Sequence, residues 1–109
     1  MADIIINEKF RTLIPPLNKA EYTELEKSLK KEGCREPLVI WNGYLIDGHN
    51  RFEICTRLNI KYKVINMPFE SEEDAISWIC SNQLGRRSIS EETRKYLIGK
   101  RYEAEKIDV

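Results

Sequence analysis

The sequence predicts an α/β fold of the α+β kind: a small mixed sheet containing a β-hairpin, covered by about four helices. Three observations point there. Asn42-Gly43 stands between the apolar runs Pro37-Leu-Val-Ile-Trp41 and Tyr44-Leu-Ile-Asp47, and Asn-Gly is the strongest short hairpin signal because a type I′ turn needs φ > 0 at both centres. Segments of helical spacing alternate with the short β runs. The loops are short, and no internal repeat or low-complexity stretch divides residues 1–109, which are read as a single domain.

In chain order, Asp3-Ile-Ile-Ile-Asn7 fits a strand. Phe10 and Leu13-Ile-Pro-Pro-Leu17 follow, and the two prolines stop any helix there. Asn18 caps a helix over Lys19 to Glu32, whose Tyr22, Leu25 and Leu29 recur at i, i+3 and i+7, with Gly33 closing it. Its Glu21, Glu24 and Glu26 alternate with Lys27, Lys30 and Lys31, a solvated face whose ion pairs contribute a few tenths of a kcal/mol each. After the hairpin, His49 to Leu58 is helical, with Phe52, Cys55 and Leu58 inward, ending near Asn59. Tyr62-Lys-Val-Ile65 is expected to be a strand with alternating faces. Ser71 and Asp74 form a capping box that opens a helix to Leu84, striped by Ala75, Ile76, Ile79 and Cys80. Gly85-Arg86-Arg87-Ser88 breaks it. Ser88 or Ser90, with Glu91 and Glu92 in the first turn, starts a last helix over about 90–107.

Composition narrows the function classes. Basic and acidic residues balance at 18 each, so no global field draws the chain to nucleic acid or membrane, and a charged partner must meet a local patch. Cys34, Cys55 and Cys80 are an odd number with no CxxC pair, which argues against a disulfide framework and a zinc site. Reduced, mostly buried thiols are expected, as in a cytoplasmic protein. No apolar run approaches the ~20 residues of a membrane span, and the N-terminus lacks the regions of a signal peptide.

The chemistry concentrates between Leu45 and Cys55, where a strand feeds into a helix N-terminus. The first helical N–H groups have no intrahelical partner and carry about half a positive charge, a seat for phosphate or carboxylate. Gly48 lets a ligand approach the backbone, and Arg51 adds a forked cation one turn in. The alternative is that Asp47 caps the helix and Gly48 only makes the turn. His49, the lone histidine, is either a phosphate contact or a solvent-facing residue of the first turn. Trp41, Trp78 and Tyr44 are read as core and hairpin aromatics, the alternative being stacking on a base, and Cys34 has no neighbouring base.

With these motifs placed, the chain resembles the N-terminal domain of ParB-type partition proteins, of the ParB/sulfiredoxin fold. Gly33-Cys-Arg-Glu-Pro37, Gly48-His-Asn-Arg51 and Ser81-Asn82-Gln-Leu-Gly-Arg86-Arg87 look like the three stretches that, in that bacterial family, surround the triphosphate of CTP with Mg2+. The resemblance implies a phosphate site of Gly33, Pro37, Asp47, Gly48, His49, Asn50, Arg51, Asn82, Arg86 and Arg87, with Asp47 toward the metal. It also implies binding of CTP or another nucleoside triphosphate, a homodimer, and a role in chromosome or plasmid partition or in transcription regulation. His49 and Asn50 replace a Glu and an Arg of the second stretch, and Ser81 a Glu of the third. These departures favour binding over turnover, at most slow triphosphate hydrolysis. One helix terminus offers up to ~2 kcal/mol and one charge-assisted bond ~1.5–3, against about 8 for a micromolar ligand, so the three stretches must pool their contacts.

Three other readings are weighed against this one. Asp47-Gly48-His49-x-Arg51 is similar to the free-serine kinase branch, but Leu13-Ile-Pro-Pro-Leu17 lacks the second acid found there. A ParB-like nuclease would need a carboxylate cluster for metals. Sulfiredoxin chemistry would need a cysteine where His49 stands. Arg94, Lys95, Lys100 and Arg101 form a candidate patch for DNA phosphates, the alternative being a solvated helix face. Sequence-specific DNA reading, in the family this resembles, belongs to a region outside this chain. The end within Lys95 to Asp108, without a Gly or Pro stop, fits an excised domain or a stand-alone relative.

Overall fold

The computed structural model describes residues 3–86 and 89–106. Among them lie three strands and five helices: α1 (Glu8–Arg11), α2 (Lys19–Glu32), β1 (Leu38–Trp41), β2 (Tyr44–Asp47), α3 (His49–Leu58), β3 (Val64–Asn66), α4 (Glu72–Leu84) and α5 (Glu91–Lys106). The architecture is the expected α+β, and the chain divides into two compact units.

The first unit holds Pro16–Met67 and the stretch ending at Asn7. Its sheet has the order β2-β1-β3, with β1 antiparallel to β2 and parallel to β3. The hairpin closes through Asn42 at φ 51° and Gly43 at φ 81°, the pair of positive values a type I′ turn demands. The expected N-terminal strand is reduced to one parallel bridge, Ile5 to Tyr44. The Ile5 N–H donates to the Gly43 carbonyl at 2.8 Å, and the Leu45 N–H donates to the Ile5 carbonyl at 2.9 Å. β3 also departs from expectation: all three of its residues are exposed, with no alternation.

α2 begins with a reciprocal box between Asn18 and Glu21 and ends at Gly33, φ 77°. Leu29, Ile54 and Cys55 form a buried cluster with Tyr22, Leu25, Cys34, Leu58, Ile60 and Tyr62 packed on it. The inward face of α3 thus centres on Ile54 and Cys55, and Phe52 is only half-buried. The charged face of α2 is not simply solvated: Arg57 of α3 reaches Glu26 at 2.8 Å and the Tyr22 hydroxyl at 3.0 Å.

The second unit comprises Glu8–Pro15 and the chain from Pro68 onward. α1 is absent from the sequence reading because four residues carry no periodicity. Lys9 on it pairs with Glu72 at 3.0 Å. Ser71 accepts from the Asp74 N–H and starts α4. Ala75, Ile79 and Cys80 are buried as expected, Ile76 is half-buried, and Gln83 is buried without having been foreseen. Ser90 accepts from the Thr93 N–H and starts α5; Ser88 lies outside the described residues. Among the described residues no helix is long and apolar enough to cross a membrane.

Candidate functional site

The β2–α3 turn is shaped by backbone. Asp47 ends β2 opposite Val39, and Gly48 turns the chain in the left-handed region at φ 97°, ψ 27°. Gly48, not Asp47, is the N-cap, and no side chain caps the helix. The capping alternative for Asp47 is overturned, and the positive end of α3 is left to other acceptors. A Cβ at position 48 would meet Leu38 Cδ2 at 2.5 Å and Arg51 Nη2 at 2.9 Å. Only glycine fits this conformation beside these neighbours.

Arg51 lies over this turn with its side chain 14% exposed. Its Nη2 donates to the Pro37 carbonyl at 3.3 Å and stands 3.7 Å from Asp47 Oδ2, while Nη1 stands 3.5 Å from Glu36 Oε2. Its Nε is buried with no hydrogen-bond partner among the described residues. Charge-assisted bonds are ordinarily ~2.7–2.9 Å, so these contacts are long. The guanidinium keeps donors for a better acceptor, and a buried orphan donor is a standing free-energy penalty until one arrives.

The first unit brings together Pro37, Asp47, Gly48 and Arg51 directly. His49 and Asn50 follow as the first residues of α3, both half-buried. The ring nitrogens of His49 are shielded from water, which excludes the solvent-facing reading. Gly33 opens the loop that carries Glu36 and Pro37, donating to Leu29 at 2.9 Å. Glu36 was missed by sequence reasoning. Its place inside the Gly33–Pro37 stretch was the available signal.

The second unit carries the remaining candidates. Asn82 is exposed in the last turn of α4, and Arg86 is exposed just beyond it, its N–H on the Gln83 carbonyl at 3.1 Å. Arg87 lies outside the described residues. Ser81 accepts from Arg101 Nη1 at 3.5 Å. The basic patch of α5 divides. Arg94 and Arg101 are seven residues apart and share one face, and Lys95 is exposed. Lys100 points elsewhere, into a groove of about 380 Å³ with Glu72, Glu73 and Glu103. There its Nζ lies 3.9 Å from Glu103 and 5.6 Å from the Tyr96 ring centre.

Among the described residues no three His, Cys, Asp or Glu side chains are grouped to hold a metal. Mg2+ beside a triphosphate needs only one or two carboxylates, since phosphate oxygens and water complete its shell. Asp47, at 17% exposure beside Arg51, fits that lesser requirement.

No family model and no curated protein matches the sequence. Solved structures do: the C2221 form of a Pnob8-like ParB-N domain and the pNOB8-like ParB N-domain, each at TM-score 0.70 and 26% identity over 90% of this chain. The chain spans 40% and 37% of the length of those two chains.

Proposed function

From a chain with the fold of a ParB N-terminal domain, we propose a nucleotide-binding module of a DNA-binding partition or transcription regulator, taking CTP or a similar triphosphate at the β2–α3 turn. One observation carries this reading. α3 starts without a side-chain cap, under an arginine whose buried Nε lacks an acceptor. A phosphate group answers both deficits, taking backbone N–H groups at the helix end and a forked donor from the side.

The chain's own residues have distinct roles. Gly48 admits the anion to the backbone, and Arg51 clamps it. Pro37 and Glu36 orient the guanidinium, and Asp47 would hold Mg2+ together with phosphate oxygens. Asn82, Arg86 and Arg87, in the second unit, are proposed as further phosphate-contacting residues. Arg94, Lys95 and Arg101 are the proposed phosphate contacts to DNA, with the main DNA-reading region outside this chain. A homodimer in the cytoplasm completes the reading.

Calorimetric titration with CTP, ATP and GTP plus Mg2+ tests it. One nucleotide should bind saturably, and Arg51→Ala should weaken it about 10- to 100-fold, the equivalent of one charge-assisted bond of ~1.5–3 kcal/mol. No binding at millimolar concentration would sink the proposal. ADP formation with serine, or metal-dependent nicking of plasmid DNA, would favour the kinase or the nuclease instead.

A further inference from the structure

Two of the three cysteines, remote in sequence, meet in the fold. Cys34 lies in the loop after α2 and Cys55 on α3, and Cys34 packs on the cluster formed by Leu29, Ile54 and Cys55. The Cys34 thiol is near enough to that of Cys55 to raise its pKa, and it donates to the Glu36 carbonyl at 3.4 Å. Cys34 is half-buried and Cys55 is 1% exposed. Water and small reagents therefore reach the pair from one side, through Cys34. Cys80 belongs to the second unit and is buried there.

We infer that Cys34 and Cys55 form a reversible intramolecular disulfide, a thiol-oxidation site that joins the Gly33–Pro37 loop to α3. The oxidant is a low-molecular-weight disulfide. The Cys34 thiolate attacks one of its sulfurs, forming a mixed disulfide and releasing one thiolate. The Cys55 thiolate then attacks Cys34 Sγ, closing the internal bond and releasing the second. Two protein thiols and one disulfide become one protein disulfide and two small thiols, the two protons passing to the leaving groups. The bond would span the same two segments that Arg51 bridges through its contact with the Pro37 carbonyl. The inference stands whether or not that arginine binds a nucleotide.

Chemistry sets the order and pace. Burial pushes the Cys55 thiol up to about 11, the neighbouring Cys34 adds to the rise, and Arg51 opposes it. Cys55 is thus a poor first attacker and serves as the resolving thiol. Well below that value its thiolate fraction, and with it the closing step, rises about tenfold per pH unit.

The test uses the whole reduced chain treated with excess oxidised glutathione at mildly alkaline pH, followed by thiol counting in denaturant and peptide mapping by mass spectrometry. The expected result is loss of two of the three thiols without retained glutathione, a linked pair of peptides containing Cys34 and Cys55, a free Cys80, and full reversal by dithiothreitol. Cys34→Ser, at the half-buried position, should keep both remaining thiols. Glutathione left on Cys34, a link to Cys80 or between chains, or three thiols surviving would each overturn the inference. If Cys34→Ser does not fold, the peptide map of the unaltered chain decides alone.

Discussion

The start of α3 differs from the starts of α2, α4 and α5. Asn18, Ser71 and Ser90 each accept from the N–H three residues on, and each of those helices has acidic residues in its first turn. α3 has neither: its cap position is Gly48 in the left-handed region, and its first turn holds no acid. With Gly in place of Asn or Ser at the cap, α3 forgoes about a few tenths of a kcal/mol. α3 tolerates that because Ile54 and Cys55 are fully buried, and burying one large apolar side chain contributes ~1.5–3 kcal/mol. Three helix starts are therefore completed from within the chain. The fourth is held by packing, and its polar end stays open.

The strongest way to break this contrast is Gly48→Ala. The substitution puts a Cβ at 2.5 Å from Leu38 Cδ2 in a backbone of φ 97°. Left-handed strain of ~1–2 kcal/mol and overpacking of ~1–3 together predict a loss of about 2–5 kcal/mol in urea unfolding. Gly99→Ala is the control. Its Cβ meets nothing within 4 Å and it lies inside α5, where alanine gains about 0.5–1 kcal/mol over glycine. Equal, small effects at the two positions would show that the turn is not built as described.

A middle-sized effect sharpens the other side. Asn18→Ala removes one bond of the reciprocal box at α2, that in which the Asn18 side chain receives the Glu21 N–H at 2.8 Å, and leaves the backbone N–H of residue 18 to the Glu21 carboxylate, 3.0 Å away. The expected loss is about 1 kcal/mol, read from the urea midpoint at unchanged slope. Addition of the bound nucleotide should leave that difference intact, since α2's start is complete without a ligand. A ligand-dependent difference would mean that the α2 cap, too, belongs to the binding site.

How much of this was legible in the sequence follows the range of the interactions. The hairpin was, because Asn42 and Gly43 satisfy a local φ requirement. So were the bounds of α2 and the start of α5, set by caps within three residues of the ends. Gly48 and Arg51 were legible as an anion seat because helix-end polarity is also local. Elements decided by distant neighbours were not. Three isoleucines read as a strand, yet only Ile5 finds a partner, across the Gly43 turn. Val64 and Ile65 carry β-type residues, yet both stay exposed. Glu36 beside Arg51 and Cys34 beside Cys55 are pairs that sequence spacing cannot foresee.

The smallest predicted effect tests what holds α3 in the absence of a cap. Glu26 of α2 sits between Arg57 at 2.8 Å and Lys30 at 3.3 Å. The hydrogen bond from Arg57, and then that from Lys30, holds its carboxyl below the ordinary value. A depressed folded pKa means stability that is fully present above the unfolded value, near ~4.3, and lost as pH falls through the folded one. Arg57→Ala should return the Glu26 titration, followed by carboxyl NMR, toward the ordinary range and flatten the acid limb of the stability curve. The change in stability at neutral pH should be slight, since the pair is exposed and water screens it. A Glu26 titration unmoved by the substitution would show that Arg57 does not tie α3 to α2 in solution, leaving Ile54 and Cys55 as what seats the uncapped helix.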